Sequence, residues 1–199
     1  MIVLRDIPTE TERSTDYGPD NNNPVHIAQH EWEFLRLLDL YRKKEPIRVL
    51  EIGTYYGGTL YNWITHAPTD AIVVNVDLSH PSKHLYPKWS YGRVFHEAIE
   101  GDSRDPEVIA RVAKHAPYQW VYIDGDHSYE GVKADWDNYM PMVNKGGIIA
   151  FHDILPPSKE WPDIEVERLW REIQRQGYVT QELVADPTWS WGGNGIVYV

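Results

Sequence analysis

The chain has 199 residues, 42% of them hydrophobic, enough for one domain with a proper core or one domain with a substantial arm. A formal net charge of −11 argues against a broad nucleic-acid surface, and the lack of cysteine excludes disulfides, thiolate metal sites and cysteine nucleophiles. No apolar run approaches the roughly 20 residues of a membrane span and the first residues do not read as a signal peptide, so a cytoplasmic protein without membrane partners is expected.

Residues 1–26, rich in Thr, Asp, Asn and Pro, read as a flexible arm, either a frayed terminus or a lid, and 27–199 as a single domain. From Ile27 to Lys44 the spacing of Phe34, Leu37, Leu38 and Tyr41 predicts a helix, stopped by Pro46. A strand over Ile47–Ile52 leads through a glycine turn into a helix over Gly58–His66. Ala71–Val76 is a second strand, ending at Asp77, and Ser79–Tyr91 is a long loop with room for a short helix. A third strand, Arg93–Ile99, precedes a helix from Pro106 to His115. Tyr118–Ile123 is strand four, and the helical face of Tyr129, Val132, Trp136, Tyr139 and Val143 gives a helix over Ser128–Met140, capped and turned by Lys145-Gly146-Gly147. Strand five covers Ile148–Phe151. Val166, Leu169, Trp170 and Ile173 mark a helix closed by Gly177, and Tyr178–Val184 and Gly195–Val199 are the last strands.

Alternating strands and helices imply a doubly wound α/β domain with a mostly parallel seven-stranded sheet. The last two strands have no helix between them and suggest an antiparallel C-terminal hairpin, and the first helix is an N-terminal helical extension. In such sheets ligands bind at the carboxyl ends of the strands. Polar residues collect there: Glu51 and Gly53 on strand one, Asp77 on strand two, Asp102 after strand three, Asp124 on strand four and His152-Asp153 on strand five. Hydroxyl, amine and metal partners would explain so many carboxylates on one rim. Several tryptophans fall in expected loops, where they could line a site for a ring-bearing substrate.

Glu51-Ile52-Gly53-Thr54-Tyr55-Tyr56-Gly57-Gly58 lacks the Gly-x-Gly-x-x-Gly spacing of a dinucleotide fingerprint, which disfavours a nicotinamide-dependent oxidoreductase. A glycine turn of this kind lets a ligand approach the backbone closely, or serves only the fold. The segment resembles motif I of class I S-adenosylmethionine-dependent methyltransferases. The resemblance extends over roughly residues 47–153. It implies that Glu51, Gly53, Thr54, Tyr55, Gly57 and Gly58 line S-adenosylmethionine, that Asp77, with Leu78 beside it, takes the ribose hydroxyls, and that Gly101, Asp102 and Ser103 contact the adenine. Asp124 borders both the cofactor and the reacting atoms.

Ile123-Asp124-Gly125-Asp126-His127-Ser128-Tyr129-Glu130-Gly131-Val132, followed by Lys145-Gly146-Gly147-Ile148-Ile149-Ala150-Phe151-His152-Asp153, resembles the metal-dependent macrolide and sugar O-methyltransferases, some of them named as cephalosporin-hydroxylase-like proteins. That resemblance places a divalent cation, usually Mg²⁺, on Asp124, His152 and Asp153, and a general base on His127. His152 departs from the acidic residue usual there. An imidazole tilts the site towards Mn²⁺, Fe²⁺, Zn²⁺ or Ni²⁺; alternatively His152 is structural and no metal binds. The expected activity is O-methylation of a small hydroxylated molecule such as a sugar or natural product. A non-catalytic S-adenosylmethionine-binding protein is the other alternative, and homo-oligomerisation is left open.

Overall fold

The computed structural model describes residues 29–188 and 191–199, so the expected 1–26 arm, the first residues of the 27–44 helix and Trp189 lie outside the described residues. In chain order the elements are α1 (Glu31–Lys44), β1 (Arg48–Ile52), α2 (Gly58–His66), β2 (Ile72–Asp77), α3 (Tyr86–Ser90), β3 (Phe95–Glu100), α4 (Pro106–Ala113), β4 (Tyr118–Ile123), α5 (Tyr129–Tyr139), β5 (Val143–His152), α6 (Val166–Arg175), β6 (Val179–Leu183) and β7 (Asn194–Tyr198). They form one seven-stranded sheet in the order β3-β2-β1-β4-β5-β7-β6. The order reverses between β1 and β4, so the carboxyl ends of these two parallel strands flank the topological switch point.

A sheet covered on both faces needs strands that are apolar on both sides, and these are. Val49, Val73, Trp120, Tyr122, Ile148 and Ile196 point to one face, where Phe34 and Leu37 of α1, Trp63 of α2 and Trp89 of α3 cover them. Their neighbours Leu50, Val74, Val121, Ile123, Ile149 and Val197 point to the other, under Val112 of α4, Trp136 of α5 and Trp170 of α6. Trp63, Trp120 and Trp170 are fully buried, and Trp161 is exposed in the expected loop. Among the described residues no helix is long and apolar enough to cross a membrane.

One expectation needs correction. Lys145-Gly146-Gly147 does not cap α5, which ends at Tyr139 and passes through a 3-10 turn, Met140–Met142, directly into β5. The three residues lie inside β5, where the pairing with β4 steps from Tyr118–Val143 to Trp120–Ile148. The glycines permit that bulge, and Gly146 N–H donates to the Val199 carbonyl at 2.7 Å. The closing pair of strands is the expected antiparallel hairpin, with β7 as the strand that runs against the sheet. It lies between β5 and β6 and is antiparallel to both, so β6 runs with the rest of the sheet.

Gly53 and Gly57 were expected to serve a ligand or the fold; both have reasons within the chain. Gly53 sits at φ +82°, and a Cβ there would lie 2.0 Å from the Asp124 carbonyl oxygen. Gly57 sits at φ +90°, and its Cβ would lie 2.9 Å from the Trp89 ring. Gly92 offers a control, with φ +69° and nothing within 4 Å of its added Cβ. Gly92→Ala should cost only the left-handed backbone, about 1–2 kcal/mol. Gly53→Ala adds a backbone collision that no rotamer relieves, so it should cost several times as much or prevent folding. Urea unfolding of the two variants measures the difference, and equal costs would refute the Gly53–Asp124 contact.

Candidate active site

The turn after β1 is fastened from below. Asp77, the last residue of β2, accepts the Thr54 and Tyr55 N–H groups on Oδ2 at 2.6 and 2.8 Å, and the Ser79 N–H on Oδ1 at 3.0 Å. A carboxylate offers about four acceptor positions, so three are occupied by the chain itself. Beneath the turn, the buried Glu51 accepts hydrogen bonds from the Thr59 hydroxyl and, at 3.1 Å, the Trp63 indole. Its other oxygen is buried without a partner. Burial, aided by repulsion from Asp124, pushes the Glu51 carboxyl up to about 8. Asn75, two residues before Asp77, is buried and donates to the Thr54 hydroxyl at 2.8 Å.

At the ends of the adjacent strands β4 and β5 four ionisable groups alternate in charge type. His127 places Nε2 3.1 Å from Asp124 Oδ1 and Nδ1 3.2 Å from Asp153 Oδ2. His152 Nδ1 lies 3.3 Å from each of the same two oxygens. Burial alone would raise the Asp124 carboxyl, but the charge of His152 and hydrogen bonds from both imidazoles outweigh it and hold it well below the usual range. Asp153 is lowered, with His152 overcoming burial. Burial would lower both imidazoles. Asp124 holds His127 above its ordinary value, and Asp153 with Asp124 hold His152 well above its own.

The side chains of Asp124, His152 and Asp153 each offer a ligand atom within 4.8 Å of the others. Ligands about 2.1 Å from one cation lie about 3.0–3.5 Å apart, and the two 3.3 Å separations match that spacing. The residues therefore fit a divalent cation, with one nitrogen among oxygens. His127, the expected base, stands in the same cluster, but both its nitrogens face carboxylates. In this arrangement the two carboxylates favour its protonated form, and it can accept a proton only when one nitrogen is released.

Asp102 and Ser103 stand apart from this cluster in their contacts. Arg104 donates to both Asp102 oxygens at 2.9 Å and reaches Asp126 at 3.5 Å, so the expected adenine contact is engaged by its neighbour. Gly101, at φ +151°, packs against Val108. Leu78 and Tyr55 are exposed near the strand ends, 75% and 56% accessible. Gly58 begins α2 and is buried.

Tyr122 and Asp135 were missed from sequence. The Tyr122 hydroxyl reaches Asp124 Oδ2 at 3.3 Å, and strand alternation, which puts residues two apart on one face, was the signal for it. Asp135, on α5, is fully buried, and burial pushes its carboxyl up to about 6 against a hydrogen bond from Ser103. A lone Asp in a helical pattern carries no such signal.

The profile of a family described as a methyltransferase domain matches residues 50–154. Demethylmacrocin O-methyltransferase of Streptomyces fradiae is 26% identical over 128 residues, which is 60% of this chain and 30% of that protein. The chain spans less than a third of the length of the curated relatives it matches. Among solved structures, an O-methyltransferase from Bacillus cereus in complex with SAH superposes with a TM-score of 0.65 at 15% identity, covering 87% of this chain and 82% of the other. The MycE methyltransferase of the mycinamycin biosynthetic pathway, with Mg, SAH and mycinamycin VI, gives 0.60 at 19% identity over 86% of this chain and 50% of the other. At these identities the superpositions show the shared fold.

Glu51 generates a pH prediction. Between its ordinary value and about 8 the folded chain keeps a proton that the unfolded chain releases, so its contribution is full at low pH and is lost as pH rises to about 8. Glu51→Gln is neutral at every pH and should remove that loss. From pH 5 to pH 8 the variant should hold its stability better than the parent chain by more than about 1 kcal/mol. Parallel urea-unfolding profiles across this range would contradict it.

Proposed function

The chain belongs to the methyltransferase-domain family, and on that premise we propose that it transfers a methyl group from S-adenosylmethionine to a hydroxyl of a small molecule, with a divalent cation held by Asp124, His152 and Asp153. The observation that carries this reading is the convergence of those three side chains and His127 at the ends of β4 and β5, beside the glycine turn. S-adenosylmethionine supplies the electrophilic methyl group, and a cation, when bound, supplies positive charge that favours an ionised hydroxyl.

The chain's own residues do the remainder. As the acceptor oxygen bonds to the methyl carbon and the carbon–sulfur bond breaks, the hydroxyl proton must leave. His127 is placed to receive it on a nitrogen freed from Asp124 or Asp153. Asp77, with three of its acceptor positions taken by Thr54, Tyr55 and Ser79 amides, has one left that would take a ribose hydroxyl. Leu78 offers an apolar face for the adenine. A sugar-bearing natural product is the acceptor class we favour, supported by the relative named for demethylmacrocin and the neighbour containing mycinamycin VI.

Titration calorimetry should detect binding of S-adenosylhomocysteine and none of NAD; the reverse would replace this reading with an oxidoreductase. Asp77→Ala should weaken S-adenosylhomocysteine binding at least about tenfold, the scale of a lost charge-assisted hydrogen bond. Asp153→Asn should abolish Mn²⁺ binding while retaining S-adenosylhomocysteine. With a demethylated macrolide as acceptor, His127→Ala should lower methyl transfer by about 10²–10⁴-fold. Full activity in excess chelator would sink the cation assignment and leave the methyltransferase reading standing.

A further inference from the structure

Each carboxylate of the proposed cation site turns one oxygen inward and has the other engaged outside the cluster. Asp124 Oδ1 and Asp153 Oδ2 face the imidazoles. Asp124 Oδ2 accepts the Tyr122 hydroxyl at 3.3 Å, and Asp153 Oδ1 accepts the Gly192 N–H at 2.9 Å. These two neutral donors are themselves held by one short stretch of chain. The buried Gln29 amide donates to the Tyr122 hydroxyl oxygen. The buried Glu33, one turn further along at the start of α1, accepts the Gly193 N–H on Oε2 at 2.9 Å and the Ala185 N–H on Oε1 at 2.7 Å.

Gly192 and Gly193 both sit at positive φ, +85° and +77°, and Glu33 bridges this turn to the end of β6. Asp153 is itself at φ +59°, a conformation that side-chain-bearing residues rarely adopt and that neighbours must hold in place. Ile154 and Leu155 N–H groups meet the Gly193 and Gly192 carbonyls at 3.5 and 3.2 Å, tying the two backbone segments together. A buried carboxylate is costly without donors, and both donors of Glu33 come from this loop.

We propose that Gln29 and Glu33 are positioning residues of the cation site: Gln29 orients Asp124 through Tyr122, and Glu33 orients Asp153 through the Gly192–Gly193 turn. Partners behind metal ligands set their orientation, and losing one typically costs metal affinity rather than the fold. The inference rests on the cation reading given above. It assigns the N-terminal helix a function that its distance in sequence from the ligands conceals.

Mn²⁺ binding followed by electron spin resonance, with S-adenosylhomocysteine binding followed by calorimetry, separates this role from a structural one. Glu33→Gln keeps the shape but offers one acceptor oxygen instead of two, and Tyr122→Phe removes only the donor hydroxyl. Each should weaken Mn²⁺ by about 10–100-fold with S-adenosylhomocysteine affinity almost unchanged, and the double variant should combine both losses because they act on different carboxylates. Circular dichroism confirms which variants are folded, and either one suffices. Parent protein that binds S-adenosylhomocysteine but no Mn²⁺ would overturn both the cation reading and this inference. Normal Mn²⁺ binding by the parent, unchanged in the folded variants or lost together with the cofactor, would overturn the inference alone.

Discussion

Two carboxylates and two imidazoles are confined together at the carboxyl ends of β4 and β5, and their charges must be balanced within that space. Each carboxylate faces both imidazoles, which raises the imidazoles and lowers the carboxylates. A divalent ion among the same oxygens would take over the balancing and release imidazole protons. Proton and metal therefore compete for one arrangement of ligands. The contacts that pair carboxylate with imidazole are the same ones a cation would have to replace.

The constraint reaches back into the sheet. The site exists because β1 and β4 come close at the switch point, and Gly53 is required there because the Asp124 backbone occupies the space of its side chain. Asp77 restrains the turn that follows and Glu51 lies beneath it. A motif that looks like a ligand cradle is thus first a packing device. The two roles are compatible, since a backbone held tightly by its own protein is already in position for a ligand.

Much of this was legible in sequence because a buried parallel strand followed by polar residues leaves a strong pattern. All seven strands were anticipated, with β4 matching at both ends; the meeting of Asp124, His152 and Asp153 followed from placing them on strand ends, and that of His127 with them from the family resemblance. Lys145-Gly146-Gly147 has the composition of a helix stop, yet pairing with β4 and the chain's last residue drew it into a bulged strand. The occupation of Asp102 by Arg104, and of His127 by two carboxylates, depends on rotamers that no spacing encodes. Gln29 and Glu33 were invisible for a related reason: in sequence each is an ordinary polar residue near a helix start, and its partners lie roughly 90 to 160 positions away.

The position of β7 sets an order of assembly. β6 is made before β7 yet joins the sheet only through it, so on an emerging chain β6 has no neighbour to pair with until β7 has followed. The Gly192–Gly193 turn that grips Asp153 leads directly into that strand. Asp124 and Asp153 are synthesised earlier, but the Gly192 contact to Asp153 awaits this insertion. The contact that fixes Asp153 is therefore made only after β7 has paired with β5, although Asp153 itself belongs to an earlier part of the chain.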